Sequence, residues 1–236
     1  LDLNEGIDLS IFLFGTSEKK INSLKKLFKL NEKLIIIDIG ANIGSISLPL
    51  AKIFNKSKIF AIEPTNYAFK KLTKNLNLNK DLKKNISLNQ VFLSKKNKPT
   101  KVWSSWNFDN SNNKHKQHFG TLHSVKKKSY LSLANFINLK KIKKVDFIKL
   151  DVDGHELDVL KSGEKFLKDK KPVIFIEIAP YLYPEFGYKC STLITYIKKL
   201  KYSFYSDELK KINDIDSYIK TIIHGSSKNF YLIKSY

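Results

Sequence analysis

The chain has 236 residues, enough for one α/β domain with a sizeable core and short for two. Hydrophobic residues make up 42% and aromatics 12%, which excludes a natively disordered chain, and no apolar run approaches the roughly 18 residues of a membrane span. The formal charge of +21 would ordinarily point to nucleic acid or an anionic surface, but all 43 cations are lysine. Phosphate recognition usually favours the bidentate arginine fork, and the lysines are dispersed (Lys70-Lys71, Lys83-Lys84, Lys126 to Lys128, Lys140 to Lys144, Lys198 to Lys201). They read as solvated faces, with nucleic acid as the alternative that is not favoured. A single cysteine, Cys190, excludes an intrachain disulfide framework, and with no visible secretory signal it suits a cytoplasmic setting.

In chain order, an apolar run Ile11 to Phe14 ends at a turn on Gly15. Thr16 or Ser17 can cap a helix whose apolar positions are Ile21, Leu24, Leu27 and Phe28. Residues 1–33 therefore read as a small N-terminal extension packed on the core, and 34–236 as the main domain. Strands are expected at Leu34 to Asp38, Lys58 to Ile62, Ile86 to Leu93, Val145 to Leu150 and Val173 to Ile178. The helices between them run from about Gly44 to Phe54, Asn66 to Leu76, Gly154 to Leu167 and Ser191 to Leu200. Two aromatic strands, Tyr202 to Tyr205 and Asn229 to Ile233, follow with no clear helix between them, a connection that suits an antiparallel pair. That alternation is a doubly wound, mostly parallel, seven-stranded α/β sheet. An insertion at about 94–130 interrupts it, with an expected hairpin of Lys101 to Trp106 and Ser124 to Tyr130 around a polar middle, 107–123.

The sharpest chemical signal is Asp38-Ile39-Gly40-Ala41-Asn42-Ile43-Gly44, directly after the first strand. Gly40 permits a tight turn off the strand and close approach of a ligand to the backbone. Gly44 lets a helix begin close to the sheet, its amides aimed at whatever lies above. Glu63, at the end of the second strand, is where a carboxylate can hold both ribose hydroxyls of a nucleoside. Hydride-transfer folds want G-x-G-x-x-G, but Asn42 occupies the middle glycine; no P-loop pattern occurs either. An aspartate two residues before the first glycine suits S-adenosylmethionine, which has no diphosphate but has an ammonium to be received.

A second constellation, Lys149-Leu150-Asp151-Val152-Asp153-Gly154-His155-Glu156, ends the fourth strand, where open parallel sheets bind ligands. Asp151 points at the expected site. Asp153 and Glu156 read equally as acceptor contacts or as a capping box for the next helix. His155 reads as a general base or as a surface histidine in the first turn. Asp151, Asp153 and Glu156 can also gather a divalent cation, but the favoured reading has no metal. Glu177, near the end of an apolar strand, needs either a substrate or an internal partner. His115, His118 and His123 lack zinc spacing and, with Trp103 and Trp106, read as loop surface or acceptor pocket.

These segments resemble the FkbM-type methyltransferases: Ile37 to Gly44, Glu63-Pro64, and Phe147 to Glu156 with Leu160-Lys161-Ser162-Gly163. The resemblance covers roughly residues 34 to 180. It implies a class I, Rossmann-like methyltransferase fold with an antiparallel terminal strand, S-adenosylmethionine as donor, and O-methylation of a hydroxyl on a small molecule or saccharide. By the resemblance Asp38, Gly40, Asn42 and Glu63 contact the cofactor, with Phe92, Leu93 and Ser94 near the adenine. Three positions depart from the family pattern: Asp153 replaces a glutamate, Lys95 stands in place of an acid, and Ser132-Leu133-Ala134 stands in place of Thr-Leu-Asp. Two rivals follow from the lysine surface, an RNA or protein methyltransferase and a non-catalytic domain that keeps the nucleoside pocket.

Overall fold

A computed structural model of the chain describes residues 3, 6–15, 21–95, 101–106, 120–124 and 130–234. Helix α1 (Gly6–Phe14) and the short α2 (Leu24–Leu27) precede β1 (Ile35–Ile39), α3 (Ser47–Ile53), β2 (Lys58–Ile62) and α4 (Asn66–Leu78). Then come β3 (Ile86–Asn89), β4 (Phe92–Leu93), β5 (Lys101–Trp106), β6 (Gly120–Ser124), β7 (Tyr130–Leu131) and α5 (Leu133–Leu139). The chain continues through β8 (Phe147–Leu150), α6 (Glu156–Ser162), α7 (Glu164–Lys170), β9 (Val173–Ile178) and α8 (Cys190–Lys199). It ends with β10 (Tyr202–Tyr205), β11 (Lys211–Ile212), α9 (Ile215–Lys220) and β12 (Lys228–Lys234).

The main sheet has the order β11-β10-β12-β9-β8-β1-β2-β3. It runs outward in two directions from the β1/β8 pair, the doubly wound arrangement. Eight strands are present where seven were expected; the eighth is β11, two residues antiparallel to β10 at the edge. A two-residue strand carries too little sequence to show a period of two, so no pattern marked it.

The chain divides into two compact units. One comprises Leu1–Lys33, Gly40–Phe92 and Lys98–Ser129. In it β2 and β3 pair in parallel, Ile59 opposite Ile86 and Ile62 opposite Asn89. Ala68, Leu72 and Leu76 recur at four-residue spacing along α4, which makes one buried helix face with the buried Leu50, Ala51 and Phe54 in the same unit. The other unit comprises Leu34–Ile39, Leu93–Asn97 and Tyr130–Tyr236. There β1, β8 and β9 are parallel, buried along their length, and Ile36, Ile37, Phe147, Ile174 and Ile176 form the continuous apolar runs such strands need. On β9 the chain turns antiparallel: β12 pairs with β9 and β10 with β12, as the aromatic terminal strands suggested.

Several boundaries differ from the sequence reading. The expected strand from Ile86 to Leu93 is two: β3 stops at Asn89, whose side-chain amide donates to Ser87 O, and Phe92–Leu93 pair with β7 instead. The second hairpin arm is β6, Gly120–Ser124, earlier than expected, and the region 107–119 with His115 and His118 lies outside the described residues. The proposed Thr16 or Ser17 cap also lies outside them. The helix after the glycine loop begins at Ser47, not Gly44. The helix from Gly154 to Leu167 is broken into α6 and α7 at Gly163, where a Cβ would meet Leu133 Cδ2 at 2.6 Å. A helix does lie between the terminal strands: α9, capped by Asp214, whose side chain accepts from Ser217 N at 3.0 Å.

Candidate functional site

In the first unit the loop after β1 is tied to the end of β2. Gly40 N and Ala41 N both donate to Ile62 O, at 3.0 and 2.9 Å. The chain then turns through left-handed conformations at Asn42 (φ 48°) and Gly44 (φ 92°), closed by Gly44 N donating to Ala41 O at 2.8 Å. Asparagine tolerates that region better than most side chains. Glycine at 44 is required twice over, since a Cβ there would also lie 2.8 Å from Leu72 Cδ1. Asn75 holds the far side of the loop by donating from Nδ2 to Ile43 O at 2.9 Å.

Glu63 is buried directly after β2, and its carboxylate organises this loop. Oε2 accepts from Asn42 N at 3.0 Å; Oε1 accepts from Thr65 N at 2.9 Å and Thr65 Oγ at 2.6 Å. The sequence reading placed Gly40, Asn42, Gly44 and Glu63 together, and this bond joins Asn42 to Glu63. It missed Thr65, for which the only sign was a hydroxyl two residues beyond the acid.

The second unit carries a ladder of charged groups on one sheet face. Asp38 stands opposite Lys149 in the parallel β1–β8 pair, and Lys149 opposite Phe175 in β8–β9. Residues two apart share a face, so Asp151 and Glu177 join Asp38 and Lys149 on it. Asp38 is fully buried with Oδ1 3.6 Å from Lys149 Nζ, and Asp151 Oδ2 lies 3.2 Å from the same ammonium. Burial works against the Lys149 charge, but the carboxylates of Asp151, Asp38 and Glu177 outweigh it and hold the ammonium protonated well above the usual lysine range. Lys149 was not read as a site residue. Its signal was a lysine inside the apolar run Phe147 to Leu150, two residues before an aspartate.

Where β8 ends and near the end of β9, one carboxylate oxygen each of Asp151, Asp153 and Glu177 lie within 4.8 Å of one another. Asp153 has φ 46° and Gly154 φ 97°, so the loop doubles back over this group; a Cβ on Gly154 would sit 2.1 Å from Phe186 Cε2. Burial, then the charges of Asp151 and Asp153, push the Glu177 carboxyl well above the usual range, while the Ser227 hydroxyl, donating to its Oε1 at 2.7 Å, opposes them. Glu177 thus has the internal partner that burial demands, and it also faces two acids.

Glu156 is not part of that group. It is buried at the first position of α6 and turns back, its Oε1 accepting from Val152 N at 3.1 Å and Gly154 N at 3.4 Å. The capping box expected of Asp153 and Glu156 does not form, because His155 takes the cap position. The cation set expected of Asp151, Asp153 and Glu156 has Glu177 in place of Glu156. With Lys149 already 3.2 Å from Asp151, any cation would meet an ammonium next to its ligands. Burial raises the Glu156 carboxyl to about 8 despite the two amides. His155 is buried, not on the surface, its ring edge-on to Phe186 with centroids 4.4 Å apart.

Phe92 and Leu93 are buried in β4. Ser94 N donates to Leu131 O at 2.9 Å, and its hydroxyl donates to Asp158 Oδ2, which also accepts from Lys95 N at 3.2 Å. Asp158 was also missed, an acid on the first turn of α6 with nothing in its spacing to point at Ser94.

Residues 38–204 match the model of the methyltransferase FkbM domain, more than half of the chain. The chain belongs to the FkbM methyltransferase family. An FkbM methyltransferase structure from Methylobacillus flagellatus superposes with TM-score 0.55 at 14% identity over 91% of this chain and 47% of that one. A SAM-dependent O-methyltransferase from Thermotoga maritima gives 0.50 at 12% identity over 96% and 71%. Over 75 residues the chain is 36% identical to a tRNA(Phe) (4-demethylwyosine(37)-C(7)) aminocarboxypropyltransferase of Pyrococcus horikoshii. That match spans 31% of this chain and 26% of that enzyme. The chain thus carries a methyltransferase FkbM domain with a class I methyltransferase fold, and it spans less than half the length of the FkbM structure and about a quarter of the tRNA-modifying enzyme. Among the described residues no helix is long and apolar enough to cross a membrane.

Proposed function

We propose that this FkbM protein methylates a hydroxyl on a small-molecule or saccharide acceptor in the cytoplasm. Residues 1–33 are then an extension of a methyltransferase domain spanning 34–236. The observation that carries the reading is the group Asp151, Asp153 and Glu177, three carboxyls within 4.8 Å beside the Lys149 ammonium. The donor set has the chemistry the cofactor needs, with Asp38 for an ammonium, the backbone of Gly40, Asn42 and Gly44 for close approach, and Glu63 for paired ribose hydroxyls. Phe92, Leu93 and Ser94 would border the base. When bound, S-adenosylmethionine supplies an electrophilic methyl on a sulfonium whose departure leaves a neutral thioether.

The chain's own task is then to place an acceptor oxygen and remove its proton. Asp151, with Oδ2 3.2 Å from the Lys149 ammonium, is the carboxylate assigned to take that proton as the oxygen–methyl bond forms. Glu177, its carboxyl pushed up by burial and then by Asp151 and Asp153, is suited to donate to an acceptor oxygen, and Asp153 and Glu156 shape the loop beside it. His155, packed on Phe186, is the other residue assigned to orienting the acceptor.

The test is transfer of labelled methyl from S-adenosylmethionine to a panel of hydroxylated small molecules and saccharides, with bulk tRNA alongside. The expected product is an alkali-stable methyl ether in the small-molecule fraction. Asp151→Asn should slow its formation about a hundredfold or more while leaving S-adenosylhomocysteine affinity within about threefold. Label found solely in tRNA would overturn this reading and favour the RNA alternative, which the partial match to a tRNA-modifying enzyme supports. Cofactor binding with no transfer to any acceptor would favour a non-catalytic domain.

A further inference from the structure

The first unit contains a cavity of about 570 Å³ formed by α1, the start of α3 and the outer face of α4. Ligand cavities commonly fall between roughly 300 and 1,000 Å³. Ile11, Ile43, Leu48 and Leu82 give its walls an apolar majority, with Ser45, Asn75 and Asn79 among them, and Leu78 at the end of α4 is 74% exposed. Its charged lining is three lysines, Lys52, Lys71 and Lys74, against one carboxylate, Asp8. Asp8 is already matched, its Oδ2 3.1 Å from Lys71 Nζ. Among the described residues, Lys52 and Lys74 have no carboxylate at ion-pair distance. Glu63 is not part of the lining, so the cavity is not the ribose contact of the donor set.

A mostly apolar hollow rimmed by two ammoniums with no carboxylate partner among the described residues has a definite complement. The walls favour a hydrocarbon body, since burying a polar ligand against Ile11, Ile43 and Leu48 would strip it of water without return. The rim favours an anionic head, because a cation would stand beside like charges and a neutral head would leave the attraction unused. We propose that this cavity binds a single-chain anionic amphiphile, a carboxylate or phosphate head on an alkyl body, with the head between Lys52 and Lys74. Its wall includes Ile43 and Gly44 of the glycine loop, so an occupant also touches the segment that Asn75 fastens through Ile43 O.

The experiment is titration of monomeric dodecanoate into the intact protein below its micellar concentration, followed by heat or by intrinsic fluorescence. Saturable binding is expected, falling by about tenfold or more when Lys52→Glu and Lys74→Glu are combined, because two attractions become repulsions. Lys52→Gln with Lys74→Gln should give a smaller loss, and Lys161→Glu with Lys199→Glu, in the other unit, none. Dodecyltrimethylammonium should bind at least tenfold more weakly than dodecanoate. Equal binding of the two, no saturable binding, or indifference to the Lys52 and Lys74 changes would each overturn the proposal. So would binding to phosphatidylglycerol vesicles with none to monomeric dodecanoate, which would make the lysine rim a membrane-facing surface and not a ligand site.

Discussion

Glu63 accepts from a backbone amide of the glycine loop, a backbone amide beyond β2 and a hydroxyl, all while buried. Charge-assisted bonds of that kind are the stronger class of hydrogen bond, and truncating the acceptor strands the donors as well. Glu63→Ala therefore removes the group assigned to the ribose and loosens Asn42 in one step. Calorimetric titration with S-adenosylhomocysteine should show affinity falling about ten- to hundredfold, about 1.5–3 kcal/mol, with the far-ultraviolet spectrum of the folded protein retained. Undiminished affinity in the variant would show that Glu63 serves the loop alone and that the ribose is held elsewhere. At this scale the glycine loop and its tie to Glu63 were readable, because they are compressed into contiguous motifs at strand ends. Ser227 and Asp158 were not, since each acts on a residue far along the chain and spacing carries no trace of such pairings; Thr65 and Lys149 lie two residues from a partner, but a lone hydroxyl or lysine at that spacing does not single itself out.

The turn from β8 into α6 is where local sequence rules and tertiary structure part. Asp153 followed three residues later by Glu156 is a capping box on paper. The loop instead takes left-handed conformations at Asp153 and Gly154, the helix starts at Glu156, and that carboxyl satisfies Val152 N and Gly154 N from inside the protein. Burial outweighs the amides and leaves an acid pushed up to about 8 against an ordinary 4.5. Between those values the unfolded chain has lost the proton and the folded one keeps it, so the native state binds more protons and stability falls as pH rises from about 4.5 to 8. Glu156→Gln keeps the acceptor oxygen and removes the titration. Urea midpoints measured at pH 5, 6, 7 and 8 should converge on a flatter profile in the variant, with its advantage greatest at pH 8. Parallel profiles would mean that Glu156 does not hold its proton. Similar competition explains the other elements. β2 and β9 were legible because each is an apolar run bounded by turn residues, whereas α5, with Ser132 accepting from Asn135 N and Leu133, Phe136 and Ile137 buried, lies between the insertion and the strand from Val145, where the sequence reading assigned no element. The break between β3 and β4 was hidden because Val91, Phe92 and Leu93 continue the apolar pattern while changing sheets.

For the whole molecule, the +21 charge has to be reconciled with the acceptor site proposed above, which is built from acids. The described ion pairs outside that site are mostly at the surface, such as Lys168 with Glu164 and Lys198 with Asp216, and exposed pairs of this kind contribute little. A charge field of that size still attracts any polyanion, so weak tRNA binding at low salt would be uninformative by itself. Its salt dependence is informative. A protein that neutralises 6–10 phosphates loses about 10³–10⁵ in affinity between about 50 and 200 mM salt, whereas a small hydroxylated acceptor held by Asp151, Asp153 and Glu177 releases few counterions. Methyl transfer to the accepted small molecule should therefore change by less than about threefold in kcat/KM across that range, while any tRNA association should vanish. A steep fall in transfer that tracks the loss of tRNA binding would make the lysine surface the substrate-binding element. The three carboxyls would then sit beside a backbone of phosphates, an arrangement that Lys149, already engaged by Asp38 and Asp151, has no spare charge to neutralise.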